Sequence, residues 1–405
     1  MYIHRTLSAH ILEANAYFQV LFLTGPRQVG KTTLLQNLQQ DKRTYISLDD
    51  LATRMAAIED PAGFLDRLQL PVLIDEVQYA PNLFPYIKMI VDREKKPGLF
   101  WLTGSQQFSL MKNVSESLAG RVAIFDLKGL SLSEELGLYE TKPFLPTPAV
   151  IKERQQRTPL SAQDVFFRMW RGSFPSVVLS EGKTWQRFYE SYVTTYIERD
   201  IRDYLNVGNI LAFRKFMQVA AARTGQMLNY REISKEMGVS EPTIKSWFGL
   251  LELTGLVFLL QPYFPNLNKR LIKTPKFYFM DTGLCCFLTK WLNPDVLENG
   301  GMAGPMLETY VVSEILKSYI HNGRSPQIYY YTDREKHEVD VLLEENGQIH
   351  PIEIKKSASI RYSNFKGFDF LQNLKRPIGA GCVLSFNNTV LPIGTGVDVV
   401  PIGLI

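Results

Sequence analysis

A glycine-flanked loop near the amino terminus carries the strongest chemical signal in the sequence. The segment GPRQVGKT, Gly25 to Thr32, fits the pattern G-x-x-x-x-G-K-[ST] and lies between the apolar run VLFLT and the helix-forming run TLLQNLQQ. Such a loop wraps phosphate oxygens with backbone N–H groups, places a lysine on the β- and γ-phosphates and offers a hydroxyl to Mg²⁺. A structural glycine turn is the alternative. The pattern predicts a phosphate-binding site made by Gly25, Pro26, Arg27, Gln28, Val29, Gly30, Lys31, Thr32 and Thr33.

Two acidic residues follow a second apolar run. The segment PVLIDEVQ places Asp75 at the end of a buried strand, where its carboxylate can hold Mg²⁺ through water. Glu76 follows directly and is placed to orient or deprotonate an attacking water, which favours a hydrolase over a protein that only stores a nucleotide. An ordinary acidic pair at a helix amino terminus is the alternative. We predict Thr32 and Asp75 as magnesium ligands, and Lys31 and Glu76 as catalytic residues.

Four further polar residues are candidates for contact with the γ-phosphate. The segment GLFWLTGSQQ ends a strand at Thr103 and Ser105, whose hydroxyls can sense that phosphate; a strand-terminating turn is equally compatible. Arg121, in SLAGRVAIFDL, can stabilise charge on the phosphate, within the chain or from a neighbouring copy. A solvated surface arginine is the alternative. Arg27 has the same two interpretations.

A second set of candidate residues lies near the carboxyl terminus. Glu308 falls in the helix-forming segment GPMLETYVVSEIL, Asp340 in EVDVLL, and Glu353 and Lys355 in PIEIKKS. Residues two apart share one face of a strand, and the Asn-Gly pair at 346–347 predicts a hairpin that brings Asp340 beside Glu353. Three carboxylates and a lysine can hold Mg²⁺ and activate water for phosphodiester cleavage. A hairpin with solvated charges is the alternative.

The segment from Leu228 to Val257 predicts a helix-turn-helix. Gly238 supplies the turn and Ser240 caps the second helix. The strands VFLLQPY and KFYFMD follow, and they can flank a wing that contains Asn268, Lys269, Arg270 and Lys273.

The charge of this region leaves its partner undecided. Residues 201–280 hold eleven Lys and Arg against five Asp and Glu, a net charge of +6 that suits phosphate contacts. The whole chain carries only +4, too little by itself to argue for nucleic acid. The second helix offers few groups to base edges: Thr243, Lys245 and Ser246. DNA contact and a structural or protein-docking role therefore both stay open.

The elements that must position these groups follow from apolar runs and prolines. Residues 1–140 alternate strand-like runs with helices, which indicates an α/β domain with a mainly parallel sheet. The runs are Val20–Thr24, Tyr45–Leu48, Val72–Ile74, Leu99–Thr103 and Val122–Leu127. We place a connector and helical region at 141–225, the helix-turn-helix module at 226–290 and a second α/β domain at 291–405.

Composition excludes several classes of protein. Hydrophobic residues make up 45% and charged residues 21%, ordinary globular values that exclude a disordered or collagen-like chain. The three cysteines lack zinc spacing and indicate reduced, buried side chains. Apolar runs fall far short of the roughly 20 residues of a membrane-spanning helix. Because the amino terminus also lacks an apolar signal core, we expect a cytoplasmic protein.

In their order along the chain, these motifs resemble one family. The runs GPRQVGKTTLL, LIDEVQ, LTGSQQFSLMKNVSESLAGRV and LKGLSLSEEL are similar to the AAA+-like P-loop ATPases of the additional-strand, catalytic-glutamate class. The runs YIERDI, MDTGL and EVDVLLEENGQIHPIEIKKS resemble the domain of unknown function that accompanies them. The resemblance implies ATP and Mg²⁺ as cofactors, a winged helix, and a PD-(D/E)xK nuclease-like fold on whose positions fall Glu308, Asp340, Glu353 and Lys355. In departure from the pattern, the Thr103/Ser105 pair replaces a sensor asparagine, and no clear sensor arginine follows.

Three hypotheses for function follow. The first is an ATP-driven switch in which hydrolysis repositions the winged-helix and carboxyl-terminal regions. The second is a metal-dependent DNA nuclease that the ATPase half licenses. The third is a nuclease-like fold that has lost catalysis and docks on nucleic acid or protein. DNA, another protein and a second copy of the chain stay open as partners, and a membrane is not expected.

Overall fold

The computed structural model describes residues 2–39, 43–105, 114, 116–139, 141–158, 160–197, 210–264, 274–333, 335, 337–360 and 368–405. The α-helices in these ranges are α1 (Leu7–Asn15), α2 (Lys31–Leu38), α3 (Leu51–Glu59), α4 (Pro61–Asp66), α5 (Leu83–Glu94), α6 (Leu132–Glu135), α7 (Pro148–Arg154), α8 (Ala162–Arg171), α9 (Pro175–Leu179), α10 (Trp185–Ser191), α11 (Ile210–Ala221), α12 (Tyr230–Met237), α13 (Glu241–Leu253), α14 (Thr282–Thr289), α15 (Pro294–Glu298) and α16 (Ala303–Ile320). The strands are β1 (Val20–Thr24), β2 (Thr44–Ser47), β3 (Val72–Asp75), β4 (Phe100–Thr103), β5 (Val122–Asp126), β6 (Val257–Leu260), β7 (Lys276–Phe279), β8 (Ile328–Thr332), β9 (Glu338–Glu345), β10 (Gln348–Ile354), β11 (Gly381–Ser385), β12 (Leu391–Gly394) and β13 (Val397–Pro401).

The first five strands form a parallel sheet in the order β2–β3–β4–β1–β5. Strands β1, β3 and β4 are buried along their whole length, as continuous apolar runs are when both faces of a sheet are covered. β4 lies between β1, which leads into the Gly25–Thr32 loop, and β3, which ends at Asp75. The carboxyl ends of these strands share one edge of the sheet. The predicted α/β fold with a parallel sheet is therefore confirmed, and the strand ends differ from the predicted runs by at most one residue.

The two faces of this sheet pack against different parts of the chain. Phe22 and Ile74 pack with α3–α5 in one hydrophobic core. Leu21 and Trp101 point the other way and join a core shared with the helical middle region and the carboxyl-terminal region. Because alternate side chains of a strand face opposite sides, the apolar runs supply both cores. The first sheet and the rest of the chain are thus packed around common apolar side chains.

Two helices and a tight turn occupy the centre of the chain. α12 ends at Gly238, whose φ of +67° suits glycine, and the Ser240 hydroxyl accepts the Thr243 N–H at the start of α13. β6 and β7 then pair antiparallel. This arrangement agrees with the predicted helix, turn, helix and two strands. The predicted wing residues 268–270 and 273 lie outside the described residues.

The carboxyl-terminal region is a mixed six-stranded sheet with α16 packed against it. The strand order is β12–β13–β11–β10–β9–β8. Asn346 and Gly347 both have positive φ, and β9 and β10 form the hairpin that this dipeptide predicts. Cys285, Cys286 and Cys382 are buried free thiols, and burial raises the pKa of each. Within the described ranges, no helix is both long and apolar enough to cross a bilayer.

Candidate functional site

The glycine-flanked loop follows β1 at the carboxyl edge of the first sheet. Gly25 has a φ of +142°, and a Cβ at this position would lie 2.1 Å from the Leu127 carbonyl oxygen, so a side chain does not fit. Gly30 has a φ of +93° and immediately precedes α2. A left-handed glycine at this point turns the chain directly into a helix, whose free N–H groups then face the loop. The sequence thus folds into the geometry that binds anions at a helix amino terminus.

Lys31 lies folded over the loop. Its ammonium donates to the carbonyl oxygens of Gly25 at 3.0 Å and Pro26 at 2.9 Å. The residue is buried, and this burial lowers the pKa of its ammonium. An anion bound in the loop would supply the negative charge that the two neutral carbonyls lack.

Asp75 joins the loop to the neighbouring strands. The Thr32 hydroxyl donates to Asp75 Oδ1 at 2.8 Å, and the Tyr45 hydroxyl donates to Oδ2 at 3.1 Å. The Thr103 hydroxyl also donates to this carboxylate. A hydroxyl beside a single carboxylate fits Mg²⁺, which usually takes one or two carboxylates together with substrate phosphates. Thr32 and Asp75 are therefore brought together as predicted, whereas Tyr45 had no signal in the sequence.

Glu76 lies in a strained turn directly after Asp75. Its φ is +58°, uncommon for a residue with a side chain, and its N–H donates to the Thr103 hydroxyl at 3.1 Å. Its carboxylate accepts a hydrogen bond from the Gln78 amide. Glu76 borders the same cavity as Lys31 and Thr32. Backbone strain of this kind persists only where the surrounding structure enforces it, and it is concentrated at functional sites.

A cavity of about 540 Å³ opens beside the loop. Arg27, Gln28, Val29, Gly30 and Thr33 line one side, with Lys31, Thr32 and Glu76. Several residues that the sequence did not indicate complete the wall: Tyr2, Ile3, Arg5, Asp49, Leu130, Pro175, Ser176 and Leu179. Their positions far along the chain from the loop gave no local signal. Tertiary packing alone brings the amino-terminal segment and α9 to the loop.

The hydroxyl of Ser105 lies near the end of β4. The residue is buried, and its Oγ has no hydrogen-bond partner among the described residues. Residues 106–113, which follow directly, are outside the described ranges. Its predicted contact with the nucleotide therefore stays a prediction.

Arg121 lies at the opposite edge of the sheet from the loop. Its carbonyl accepts the Val20 N–H at the start of β1, and β1 separates this point from the loop by about 15 Å of extended chain. Its guanidinium pairs with Asp92, with one Nη2–Oδ2 distance of 3.0 Å. Arg121 therefore does not reach the phosphate site of its own chain, because it precedes β5 rather than following it. A contribution from a neighbouring copy stays a prediction.

The carboxyl-terminal carboxylates lie beside a buried lysine of β7. Lys276 Nζ lies 3.1 Å from Glu308 Oε1 and 2.7 Å from Glu338 Oε1. The Tyr278 hydroxyl donates to Glu308 Oε1 at 2.6 Å. Burial lowers the pKa of Lys276, but Glu308 and Glu338 raise it more, so the net pKa is above its ordinary value. Glu308 is thus already held by a buried cation from β7.

Asp340 and Glu353 lie beside this group on β9 and β10. Asp340 Oδ2 accepts the Ile354 N–H at 2.8 Å, and Lys355 pairs with Glu353. Burial, followed by the charges of Glu353 and Glu308, raises the pKa of Asp340. Burial also raises the pKa of Glu353. These carboxylates therefore disfavour one another's ionisation.

The prediction of a three-carboxylate metal site stays a prediction. Among the described parts of the chain, no group of three or more His, Cys, Asp or Glu side chains is arranged to hold a metal ion. In this structure, Lys276 and Tyr278 both contact the Glu308 carboxylate. The sequence could not reveal this contact, because it depends on how β7 packs against α16.

The two helices α12 and α13 present mixed charge. Arg231, Lys235 and Lys245 are exposed, and so are Glu232, Glu236 and Glu241. Arg223 pairs with Glu232 and Glu236, and Lys276 is buried among carboxylates. The two Glu partners of Arg223 are already included in the count of +6, whereas Lys276 pairs with Glu308 and Glu338 from outside residues 201–280.

Comparison with protein families divides the chain into three matched segments. Residues 17–136 match the model of an AAA domain. Residues 162–295 and 303–405 match two domains of unknown function, DUF8612 and DUF4143. An uncharacterized protein of Mycobacterium tuberculosis is 29% identical over 360 residues, which cover 88% of this chain and 74% of that protein. A Mycobacterium bovis uncharacterized protein matches with the same figures.

Solved structures give weaker likenesses. The Walker-type ATPase of Pyrococcus abyssi is 14% identical with a TM-score of 0.44, over 70% of this chain and 94% of that one. AMPPCP-bound DnaA from Aquifex aeolicus is 14% identical with a TM-score of 0.30, over 61% and 85% of the two chains. The AAA-domain match and the parallel sheet that carries the Gly25–Thr32 loop support a P-loop ATPase fold for the amino-terminal part of the chain.

Proposed function

We propose that the protein is a Mg²⁺-dependent ATPase that acts as a nucleotide-driven switch. The observation that carries this proposal is the convergence of Lys31, Thr32 and Glu76 on one cavity, with Asp75 hydrogen-bonded to Thr32. A general phosphate-binding turn would not need an acid in a strained conformation at its rim. Phosphate binding, metal binding and water activation each have a suitable group within this site.

Each residue has a distinct role in the proposed reaction. Backbone N–H groups of residues 27–32 and the Lys31 ammonium bind the phosphates, after Lys31 leaves the carbonyls of Gly25 and Pro26. Thr32 and Asp75 hold Mg²⁺, which neutralises charge on the phosphate oxygens when it is bound. Glu76 orients the attacking water and accepts its proton.

The wall opposite the loop supports coupling of the nucleotide to the rest of the chain. Tyr2, Ile3 and Leu179 supply apolar surface at the cavity, which suits a nucleotide base. Pro175 and Leu179 belong to α9, just after Ser173, whose N–H donates to Asp281 at 2.7 Å. Nucleotide contact with α9 would therefore act on a segment tied to the region of β7 and α14.

We propose that the carboxyl-terminal region is a nuclease-like fold that docks on a partner and does not cleave DNA. Lys276 supports this, because it neutralises Glu308 where catalysis would need a metal cation. The two-helix module and its strands would be a winged helix in the same assembly. Measuring ATP hydrolysis with and without DNA distinguishes DNA from protein as the docking partner.

The test is steady-state ATP hydrolysis and calorimetric binding of ATP with Mg²⁺. We expect Lys31→Ala to lose nucleotide binding. We expect Glu76→Gln to bind ATP normally but to turn over about 100-fold more slowly or worse, since a positioned general base contributes at least this much. Normal hydrolysis by Glu76→Gln would show that Glu76 is not the base.

The same assay with single- and double-stranded DNA at two salt concentrations identifies the partner. Stimulation by DNA that fades with salt would support docking on nucleic acid. Turnover that ignores DNA would instead support a protein partner. Cleavage of DNA that is lost in Asp340→Asn would contradict the non-catalytic role of the carboxyl-terminal region.

A further inference from the structure

A buried arginine lies directly beneath the nucleotide loop. Arg5 is 4% exposed, and its Nη1 donates to the Val29 carbonyl at 2.9 Å. Its Nη2 donates to the Lys128 carbonyl at 2.7 Å, in the segment that follows β5. Arg5, which also borders the cavity, therefore ties the loop to the adjacent backbone.

The contact with Val29 has a consequence for Gly30. In a planar trans peptide, the carbonyl and the following N–H point in opposite directions. A donor that holds the Val29 carbonyl therefore also fixes the direction of the Gly30 N–H, and Gly30 lines the cavity. This N–H belongs to the set of backbone donors with which such a loop wraps phosphates.

Arg5 is itself held by groups from two distant parts of the chain. Arg5 Nε lies 3.2 Å from Glu134 Oε1, and Glu134 Oε2 lies 3.2 Å from His321 Nδ1. Glu134 also accepts the N–H groups of Thr6 at 2.9 Å and Ser131 at 3.0 Å. Burial raises the pKa of Glu134, but Arg5 and His321 lower it more, so this carboxyl has a net pKa well below its ordinary value.

His321 connects this cluster to the carboxyl-terminal region. It follows the last residue of α16, the same helix that carries Glu308. Burial lowers the pKa of the His321 imidazole, and the neighbouring Glu134 opposes this shift. Nearby on α16, Lys317 donates to the Leu130 carbonyl at 2.9 Å, and Glu314 accepts the Leu132 N–H at 2.8 Å. The end of α16 is thus hydrogen-bonded to the segment that contains Glu134, the partner of Arg5.

We propose that Arg5 is a positioning residue for nucleotide binding: clamped by Glu134 and His321, it fixes the Val29–Gly30 peptide so that the Gly30 N–H faces the phosphates. The inference rests on the proposed binding of ATP at this loop. The proposed role of Arg5 makes the end of α16 part of the support of the nucleotide site. Occupancy of the loop and order at the end of α16 are then linked, because both depend on the same guanidinium.

The test compares Arg5→Lys with Arg154→Lys. Arg154 is a matched control, since it is 2% exposed and donates to two backbone carbonyls, Leu404 at 3.0 Å and Lys142 at 2.8 Å, away from the loop. Lysine keeps the charge opposite Glu134 but cannot span the Val29 and Lys128 carbonyls as a planar fork does. Affinities for Mg·ATP and Mg·ADP are measured by calorimetry, and stability by thermal unfolding.

We expect Arg5→Lys to bind both nucleotides about tenfold more weakly, the effect of losing one hydrogen bond to a charged group. The KM for ATP should rise while kcat stays within about twofold, because the Gly30 N–H contacts phosphate in the ground state and the transition state alike. Arg154→Lys should lose stability without losing affinity. Equal affinities in Arg5→Lys and wild type, or a fall in kcat with unchanged KM, would overturn the inference. Failure of the wild type to bind nucleotide would instead overturn the proposed function.

A measurement on the wild-type protein covers the case in which Arg5→Lys does not fold. Hydrogen exchange is followed with and without Mg·ADP. We expect nucleotide to slow exchange in residues 25–33 and also in residues 315–322 at the end of α16. Slowing confined to the loop would contradict the proposed link.

Discussion

Replacing Lys276 with methionine isolates the role of the cation that sits among the carboxyl-terminal carboxylates. The Lys276 side chain is 7% exposed, and its partners Glu308 and Glu338 are 19% and 49% exposed. Methionine keeps most of the aliphatic stem, so the change removes charge more than volume. The variant leaves the Glu308 carboxylate beside Asp340 without its cation.

The size of the effect follows from these exposures. Two charges at the 3.1 Å separation of Lys276 and Glu308 attract by about 5 kcal/mol at an effective dielectric constant near 20, before the cost of desolvation. Breaking one partner of a buried pair costs about 3–5 kcal/mol in general. The half-exposed Glu338 adds less than about 1 kcal/mol, because solvent screens it. We expect a loss of about 3 kcal/mol in the free energy of unfolding.

Urea unfolding followed by tryptophan fluorescence measures this loss. Lys355→Met is the matched control, since Lys355 also pairs with a carboxylate but is half exposed, and it should cost less than about 1 kcal/mol. Adding Glu308→Gln to Lys276→Met should recover about 2 kcal/mol, since the uncompensated charge is then gone. Equal stability of the two lysine variants would refute the reasoning, as would the absence of any recovery in the double variant.

Two further outcomes are expected. Asp340→Asn should melt at least about 2 °C above wild type at pH 7.5, because a carboxyl whose pKa is raised by burial and by Glu353 destabilises the fold when it is ionised, and asparagine can still accept the Ile354 N–H. The advantage should shrink as the pH falls below the folded-state pKa toward about 4, where the folded protein has taken up the proton; a constant difference from pH 8 to pH 4 would contradict this. Arg121→Ala should bind Mg·ATP within about twofold of wild type by calorimetry, since Arg121 pairs with Asp92 at the far edge of the sheet; a tenfold loss would contradict its placement.

The elements around the nucleotide loop could be predicted because their signals are local. Strand β1, the left-handed glycine at Gly30 and the start of α2 follow from neighbours a few residues apart, and so does the β9–β10 hairpin at Asn346 and Gly347. The alternation of apolar runs and helices also predicted the parallel sheet. The direction of the strands then placed Asp75 and Glu76 beside the loop, since parallel strands end at one edge.

Two candidate residues lie in surroundings that the local sequence did not indicate. Arg121 was a candidate because of its type and its place after the loop, but a residue before a parallel strand lies at the edge opposite to one after it. Glu308 belongs to the predicted ligand set, and only the fold shows that Lys276 from β7 lies beside it. The charge counted over residues 201–280 likewise could not show that Lys276 pairs with carboxylates from outside this segment.

By itself, the sequence determined the phosphate loop, the acidic pair after β3, the parallel α/β sheet and the hairpin at the carboxyl end, because backbone geometry and side-chain periodicity act over a few residues. Only the tertiary structure decided that Tyr2, Pro175 and Leu179 wall the cavity and that Arg5 supports the loop against the end of α16. Such contacts depend on which faces pack together across long stretches of chain. The spacing of residues along the sequence does not show which faces pack together.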